Sequence, residues 1–447
     1  MSRILLVTFG SLGDLHPYIA VGRVLRARGH EVVLASCGDY EAAATAAGLE
    51  FVAVPPRLDA LGDREALTRR LFHPRHGTRC MLDEVVFPHL DAAHAVIDRA
   101  AHGADLLVGH PLTFGVPVVA EQRGLPWLST VLAPSSFLSR HDPPRLSVDV
   151  LRQAHRLGSW TYDLMLGMVR REVWRWEAPL REFRARQGVP TPARQILIFE
   201  GQFSPHGTLA LFDPMLAAPQ PDWPANAVVC GAALYDGQAA RAAGNVPAET
   251  SAALEQFLSA GEPPIVFALG SAAVWMGTDY FRSAVAATMQ LGRRAILLTG
   301  KPWAEALPAG IRAFDYLPYS HVFPRAAVVV HQAGIGTLSQ ALRSSRPQLI
   351  TPVGFDQLDN AERAAKLGLA RVLPFQQGTV RRLRRELAAL LADAGAEQAA
   401  IRAAEQLDGQ GAARAGQAIE EALRAAVADY RPPASRSMAS MSSESSR

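Results

Sequence analysis

The sequence predicts an α/β protein with two doubly wound parallel sheets that face each other across a cleft. Short apolar runs alternate with helical stretches through both halves of the chain, and the connections are short, which is typical of βαβ units. The alternation also stops and restarts. The stretch from Asp236 to Thr250 is rich in Gly, Ala, Asn and Pro, and a new apolar run begins at Ile265. A length of 447 residues likewise favours two cores.

Five apolar runs of strand length predict the first sheet. They are Ile4–Phe9, Glu31–Ala35, Glu50–Val54, Asp105–Gly109 and Trp127–Ala133. Helical patterns lie between them at Pro17–Arg28, Tyr40–Ala47, Thr78–Ala101 and Val116–Arg123. The stretch from Val150 to Gln187 breaks this rhythm, because it is long, helical and rich in Trp, Met and Arg. A further run, Gly207–Phe212, precedes a proline-rich stretch.

The second half repeats the pattern. Its strand-like runs are Ile265–Ser271, Ala295–Thr299, Ala313–Tyr316, Ala327–Val330, Gln348–Pro352 and Arg371–Pro374. We therefore predict one domain at residues 1–235, a linker at 236–250 and a second domain at 251–405. Residues 406–430 form a final helix. The tail at 431–447 cannot bury a core, and its composition predicts disorder.

Composition excludes several classes of protein. The net charge of +3 is mild for this length, and the absence of a long basic block with interleaved aromatic residues argues against a nucleic-acid partner. Three widely spaced cysteines cannot form a disulfide framework, which favours a reduced, cytoplasmic compartment. The first residues run directly into a strand pattern without a signal-peptide core. No apolar run is long enough to predict a transmembrane helix.

The strongest local pattern lies where a predicted strand of the second half ends. His331 follows the apolar run, and Gln332, Gly334, Gly336 and Thr337 then open a helix. Backbone N–H groups and a helix N-terminus converge there, which is what a pyrophosphate needs. A histidine at a strand end is usually structural, but the glycines that follow favour contact with a diphosphate.

Other polar residues belong to the same predicted edge of the sheet. Asp356, Gln357 and Asn360 open the helix after the next strand, and carboxyl ends of parallel strands share one edge. They suit the hydroxyls of a sugar, although Asp356 could equally cap its own helix. Ser271, at the end of the first strand of this half, could bind a phosphate oxygen or serve only as a turn residue.

Three motifs in order make the chain resemble the inverting glycosyltransferases of the GT-B fold. These enzymes form the UDP-glycosyltransferase-like family, which includes plant, antibiotic and sterol enzymes that use nucleotide sugars. The motifs are Gly10–Pro17, His331–Thr337 and Asp356–Ala361. The resemblance covers residues 1 to about 425. Within this family, three further segments are similar to the bacterial rhamnosyltransferases of rhamnolipid biosynthesis: Ser204–Gly207, Ala218–Pro224 and Ala361–Arg363.

The resemblance implies a role for Asp14 as the general base that takes the proton of an acceptor hydroxyl. His16, before Pro17, is the rival base, and Asp14 could also merely cap the helix that we predict to start at Pro17. The acceptor region would include Gly10, Ser11, Met165, Met168 and Trp174. Met and Trp at helical spacing are, however, more often part of a core.

For the donor, the resemblance implies that Tyr316 and Leu317 frame the nucleobase. Ala333 departs from the family, which commonly has Gly there; its N–H should remain available to phosphate. A helix dipole, loop amides and His331 can stabilise the leaving diphosphate, so we expect no metal and no cofactor. The final helix is expected to cross back onto the first domain, as in the family.

The predicted reaction transfers L-rhamnose from dTDP-L-rhamnose to a hydrophobic hydroxylated acceptor, a 3-(3-hydroxyalkanoyloxy)alkanoate. One alternative is transfer of glucose or a deoxysugar to a polyketide, sterol or other lipid. Another is a non-catalytic GT-B protein that binds a nucleotide sugar, and an epimerase lacks support in the first motif. Peripheral contact with the inner membrane and an acceptor-supplying enzyme are left open as partners; Arg170, Arg171 and Arg175 could face lipid headgroups or simply solvent.

Overall fold

The computed structural model describes residues 1–146, 149–193, 195–237 and 248–429. Within these ranges the first half contains a seven-stranded parallel sheet in the order β3-β2-β1-β4-β5-β6-β7. Its strands are β1 (Arg3–Val7), β2 (Glu31–Ser36), β3 (Glu50–Ala53), β4 (Leu106–Gly109), β5 (Trp127–Val131), β6 (Thr208–Ala210) and β7 (Ala227–Val229).

The described part of the second half contains a six-stranded parallel sheet in the order β10-β9-β8-β11-β12-β13. Its strands are β8 (Ile265–Ala268), β9 (Ala295–Leu298), β10 (Ile311–Phe314), β11 (Val328–His331), β12 (Gln348–Ile350) and β13 (Ala370–Val372). The strand order reverses beside β1 and beside β8, as in doubly wound folds, and ligands bind at the carboxyl edge of such a switch point. The predicted fold class of two Rossmann-like sheets is confirmed.

Helices cover the sheets. In the first half they are Leu12–Ala27, Glu41–Ala46, Arg64–Leu71, Gly77–Cys80, Leu90–Ala100, Gly115–Arg123, Val150–His155, Ser159–Trp176 and Ala178–Arg186. In the second half they are Ala248–Ser259, Gly270–Ala273, Thr278–Gln290, Tyr319–Val322, Ile335–Arg343, Gln357–Lys366, Val380–Leu391, Ala394–Glu405 and Gly411–Asp429. The last helix packs on helix Leu12–Ala27, where Arg28 Nη1 donates to Glu420 Oε2 at 3.0 Å.

The central strands are apolar on both faces because each face carries a helix layer. Ile4 and Leu6 of β1 are fully buried in one core, with helix Leu12–Ala27. Leu5 and Val7 of the same strand are buried in another core on the opposite face. The strand is therefore rigidly clamped, and the residues that follow it are held at a fixed place on the carboxyl edge.

Several local predictions were wrong. The predicted helix Thr78–Ala101 is interrupted by a π-helical segment at Met81–Val86 and a 3₁₀ turn at Phe87–His89, and Pro88 offers no N–H to continue a helix. The stretch Val150–Gln187 is helical as predicted and forms three helices, whereas the short edge strand β7 was missed. The predicted tail, 431–447, and most of the predicted linker, 238–247, lie outside the described residues.

Candidate active site

The first helix begins at Leu12, five residues before the predicted start at Pro17, because Ser11 caps it. The Ser11 hydroxyl accepts from Gly13 N, and the Asp14 carboxylate accepts from Ser11 N at 2.6 Å, which completes a capping box. Gly10 adopts φ +137°, and a Cβ there would lie 2.3 Å from Asp14 Oδ2. The glycine is required, and it lets the chain turn tightly around the carboxylate.

A residue that sequence reasoning missed, His110, lies beside Asp14. It directly follows β4, the neighbour of β1, and its Nε2 is 3.4 Å from Asp14 Oδ1. Burial alone would raise the pKa of Asp14, but His110 and the Ser11 donors outweigh that effect and lower it. Because its pKa is lowered, the carboxylate is ionised at neutral pH, and the side chain is 31% exposed. The strand order, known only from the structure, identifies His110 as its neighbour.

The rival base His16 lies two positions further along the helix, on a different side from Asp14. Its ring packs edge-on against Tyr235, with centroids 5.3 Å apart. Burial lowers its pKa to about 4, against the opposing charge of Asp236. The structure therefore places His16 against the end of the first half, and it brings Asp14, not His16, to His110.

The N-terminus of helix Ile335–Arg343 faces the start of the first helix. Its N-cap is Gly334, and among the described residues no side chain caps it. A Cβ on Gly336 would lie 3.6 Å from the Cα of Gly13. Ser271 Oγ also lies at this junction and accepts from Leu12 N at 3.2 Å. The two halves thus meet where the predicted diphosphate site, at the start of helix Ile335–Arg343, approaches the helix turn that carries Asp14.

His331 does not lie as expected. Its side chain is fully buried: Nε2 is 3.0 Å from Gln348 Oε1, and Nδ1 accepts from Ala333 N at 3.1 Å. Burial lowers its pKa to about 4, so the ring is neutral. The expectation that Ala333 N–H stays available to phosphate is therefore wrong in this structure, because His331 uses it. Ala333 adopts φ +65°, which explains why the family commonly has Gly there.

The three polar residues at the start of helix Gln357–Lys366 are held as a unit. Asn360 Nδ2 donates to Ala333 O and to Asp356 Oδ2, at 3.0 and 2.7 Å. Gln357 Oε1 accepts from Val353 N at 2.9 Å. The alternative role of Asp356 as a helix cap is not observed, since its carboxylate accepts no backbone N–H of the described helix.

Two groups at this site are buried without a partner among the described residues, the side-chain oxygens of Gln332 and Asn360. A buried polar atom without a hydrogen bond is costly, so both are suited to a ligand's hydroxyl or N–H donors. Burial, and then the charge of Asp14, raise the pKa of Asp356 to about 7. The two carboxylates, which belong to opposite halves, are therefore close enough for their charges to interact.

The residues expected at the nucleobase lie near the predicted linker. The Tyr316 ring is partly exposed, and its hydroxyl donates to Asp236 O at 2.7 Å. Leu317 is buried. Thr337, in the first turn of helix Ile335–Arg343, contacts the Tyr319 hydroxyl. The Tyr316–Asp236 bond ties the second half to the first residue of the predicted linker.

A cluster of ion pairs joins the halves beside the residues predicted to bind the sugar. Arg363 donates to Asp142 at 2.5 Å and to Asp359 at 2.6 Å. Arg152 Nη2 donates to Glu362 Oε1 at 2.6 Å. Asp359, Glu362 and Arg363 all belong to the helix that starts with Gln357, whereas Asp142 and Arg152 belong to the first half. The cluster fixes that helix against the first half.

A partly open, mainly apolar cavity of about 330 Å³ lies beside helix Ser159–Trp176. Leu166 and Arg170 of that helix line it, together with the apolar Phe137, Leu138, Phe199, Phe203, Trp223 and Pro224 and the polar Ser136, Glu200 and Asp222. Met165, Met168 and Trp174, which we expected in the acceptor region, do not line this cavity, and Met168 and Trp174 are exposed on the surface. Helical periodicity alone could not decide which face is turned inward. No helix among the described residues is long and apolar enough to cross a membrane.

Two family models match the chain. Residues 4–139 match the glycosyltransferase family 28 N-terminal domain. Residues 295–415 match the C-terminal domain of proteins like the erythromycin biosynthesis protein CIII. The chain is 33% identical over 384 residues to the O-mycaminosyltylonolide 6-deoxyallosyltransferase of Streptomyces fradiae, which covers 82% of this chain and 84% of that protein. The chain belongs to this glycosyltransferase family.

Another relative, the vancomycin aglycone glucosyltransferase of Amycolatopsis orientalis, is 29% identical and covers 82% of this chain and 84% of its own. Among solved structures, the spinosyn rhamnosyltransferase SpnG complexed with thymidine diphosphate aligns with a TM-score of 0.62 at 20% identity. It covers 94% of this glycosyltransferase and 100% of its own chain. The fold is therefore GT-B, and a nucleotide sugar is the donor class.

Proposed function

We propose that this glycosyltransferase inverts configuration at the anomeric carbon and uses Asp14 as its base. The observation that carries the proposal is the position of Asp14: it is ionised, partly exposed and next to His110, and its neighbour Gly13 lies against Gly336 of the uncapped helix that begins at Ile335. A base and a diphosphate site that approach from opposite halves fit a one-step displacement. Residues 1–235 would hold the acceptor and residues 251–405 the donor.

In the proposed step the acceptor hydroxyl donates a hydrogen bond to Asp14. Its oxygen attacks the anomeric carbon as the proton passes to the carboxylate, and the bond from that carbon to the diphosphate oxygen breaks. His110 stabilises the carboxylate before the transfer and orients it. No covalent bond between sugar and protein forms, and the configuration is inverted.

The second half would stabilise the leaving group without a metal ion or other cofactor. The N–H groups of helix Ile335–Arg343 and its dipole meet the developing negative charge. Ser271 and Thr337 add hydroxyls at the same edge, while His331 acts indirectly by holding the loop. Asp356, Gln357 and Asn360 would bind the donor sugar, with Tyr316 and Leu317 at the base and Gln332 beside the phosphates.

For the substrates, we propose dTDP-L-rhamnose and a 3-(3-hydroxyalkanoyloxy)alkanoate, which would give a mono-rhamnolipid. The apolar cavity near Phe137 supports a hydrophobic acceptor, and the solved rhamnosyltransferase supports a thymidine diphosphate donor. The relatives named for deoxyallose and glucose transfer support the second candidate, which moves such a sugar to a polyketide or another lipid.

A product screen tests this proposal. The purified protein would receive dTDP-L-rhamnose or UDP-glucose, each with the hydroxyalkanoate lipid and with a panel of polyketides and sterols, and products would be identified by mass spectrometry. A rhamnosylated lipid formed only from the dTDP donor supports the first candidate. Glycosylation of another acceptor supports the second. Nuclear magnetic resonance of the anomeric centre would then show inversion or retention, and retention would contradict the proposed step.

A further inference from the structure

Helix Ser159–Trp176 exposes an apolar face on the surface of the first half. Trp160, Leu164 and Met168 are 69%, 59% and 52% exposed, and Leu157, in the turn before the helix, is 77% exposed. The three helical residues are spaced by four, so they follow one another within about 80° of the helix circumference. Large apolar side chains grouped on a surface mark an interaction site more often than scattered ones do.

The same arc carries positive charge. Arg171 and Arg175 follow Trp160 by eleven and fifteen residues, which places them on the arc at about 20° and 60° from Trp160. Both side chains are exposed. The acidic residues of the helix, Asp163 and Glu172, fall outside the arc on either side of it, and Glu172 accepts from Arg175 at 2.9 Å.

We propose that this face docks on a lipid bilayer that contains anionic headgroups. Trp, Leu and Met can enter the boundary between headgroups and acyl chains, while the arginines remain with the phosphates. A second tryptophan, Trp174, is exposed near the other end of the helix, and tryptophan favours this boundary. The positive charge of Arg171 and Arg175 favours an anionic lipid surface over an uncharged apolar protein partner, which would not need the arginines.

The opposite side of the helix gives the docking a use. Leu166 and Arg170 line the apolar cavity that Phe137, Phe199 and Trp223 complete. One helix thus separates the proposed lipid surface from an apolar space inside the first half. An acceptor with an acyl chain would pass from one to the other over a short path; this last step alone rests on the proposed function.

Sedimentation with vesicles tests the docking without any sugar donor. The protein would be mixed with vesicles of phosphatidylcholine alone and with vesicles that also contain phosphatidylglycerol. We expect binding to the mixed vesicles to be at least about tenfold tighter, because each arginine near an anionic surface contributes roughly fivefold. Replacing both, as Arg171→Gln with Arg175→Gln, should remove most of this difference and leave binding to neutral vesicles unchanged.

The apolar part has its own variant and a matched control. The triple change Trp160→Ser, Leu164→Ser and Met168→Ser should weaken binding to both kinds of vesicle by more than about tenfold. Met289→Ser with Val228→Ser removes two apolar side chains that are exposed elsewhere, and should leave binding unchanged. Thermal unfolding of each variant would confirm that it folds.

Three outcomes would overturn the inference. The first is that the unaltered protein sediments with neither vesicle. The second is that the control variant loses as much binding as the triple variant. The third is that the protein self-associates in solution and only the triple variant prevents this, which would make the face a contact between copies. None of these outcomes bears on sugar transfer, which the product screen measures separately.

Discussion

Two helix N-termini meet in the cleft, and they differ in whether side chains satisfy their first N–H groups. At the helix that starts at Leu12 the first N–H groups are satisfied by side chains: Ser11 accepts from Gly13 N, Asp14 accepts from Ser11 N, and Ser271 of the second half accepts from Leu12 N. The helix that starts at Ile335 has Gly334 at its cap, and no described side chain satisfies its N–H groups. A free helix N-terminus attracts an anion, whereas a closed one does not.

This difference assigns the two ends different tasks. In the first half the cap satisfies the N–H groups that would otherwise attract an anion, and it holds a carboxylate at a fixed point. In the second half the attraction is left for a ligand that brings its own negative charge, such as a diphosphate. In the proposed function, the same backbone element therefore supplies a base on one side and an anion site on the other.

Removing the charge from the closed end should have the largest effect. The change Asp14→Asn keeps the size of the side chain and one acceptor oxygen, so the capping box is largely preserved, but the amide cannot take a proton. We expect kcat to fall about a thousandfold with little change in the donor KM. Steady-state kinetics measures this.

The matched control for that change is His16→Asn, which alters the rival base on the same helix. We expect it to retain most of the turnover. If His16→Asn abolished turnover while Asp14→Asn kept it, the assignment of the base would be reversed.

The open end can be made to resemble the closed one. Gly334→Asp would place a carboxylate at the N-cap. The backbone there, with φ −56°, allows any residue, and a Cβ would lie 3.0 Å from Gln332 Nε2, so that side chain would have to shift slightly. We expect about 1 kcal/mol of added stability and at least about tenfold weaker binding of thymidine diphosphate, because the new carboxylate occupies the anion site. Calorimetry would measure both quantities.

Gly334→Ala separates the cap from simple bulk. It adds a methyl group but no acceptor, so it should weaken diphosphate binding less than Gly334→Asp and should not stabilise the helix. Equal losses of affinity in the two variants would show that space, and not charge, decides binding at this end.

Weakening the closed end without touching the carboxylate should have a smaller effect. Ser11→Ala removes one donor to Asp14 and one acceptor for Gly13 N. We expect the free energy of unfolding to fall by roughly 1 kcal/mol. The pKa of Asp14 should rise, because a donor that favours its ionised form is lost, and the acid limb of the rate profile should move to higher pH. Denaturant titration and a pH–rate profile would measure the two effects.

The smallest expected effect concerns the electrostatic coupling between Asp14 and Asp356, which precedes helix Gln357–Lys366. The pKa of Asp356 is raised to about 7, first by burial and then by the charge of Asp14. Its ionised form accepts hydroxyl donors better, so affinity for the nucleotide sugar should rise with pH through about 7. In Asp14→Asn the second cause is absent, and the midpoint should shift to lower pH.

Binding of the nucleotide sugar by calorimetry between acid and alkaline pH would detect this shift. Asp356→Asn, which does not titrate, should bind with a flat pH dependence over the same range. A midpoint that is identical with and without the Asp14 charge would show that the two carboxylates do not interact.

The sequence predicted the framework well because that framework depends on local patterns. Apolar runs such as Ile4–Phe9 mark buried strands of parallel sheets, and glycines after a strand mark a turn into a helix. The family and the general positions of the cleft residues followed from contiguous motifs. The start of the first helix was predicted wrongly, because Pro17 is a common first residue of a helix whereas Ser11 is the better cap.

What the sequence could not predict depends on contacts between distant segments. His110 meets Asp14 only because β4 lies next to β1, and nothing in the local pattern at residue 110 specifies that neighbour. His331 faces inward because Gln348, on the adjacent strand, receives its ring. The ion pairs of Glu362 and Arg363 likewise require the placement of one half against the other.

Those ion pairs limit how halves of related enzymes can be exchanged. A chimera that joins residues 1–235 of this chain to the second half of a relative would place Asp142 and Arg152 opposite unfamiliar side chains. In the reverse chimera the buried Arg363 would keep Asp359, on its own helix, but lose Asp142, and removing one partner of a buried charge is destabilising. Functional hybrids should therefore carry the segment around residues 142–152 and the helix Gln357–Lys366 from the same parent.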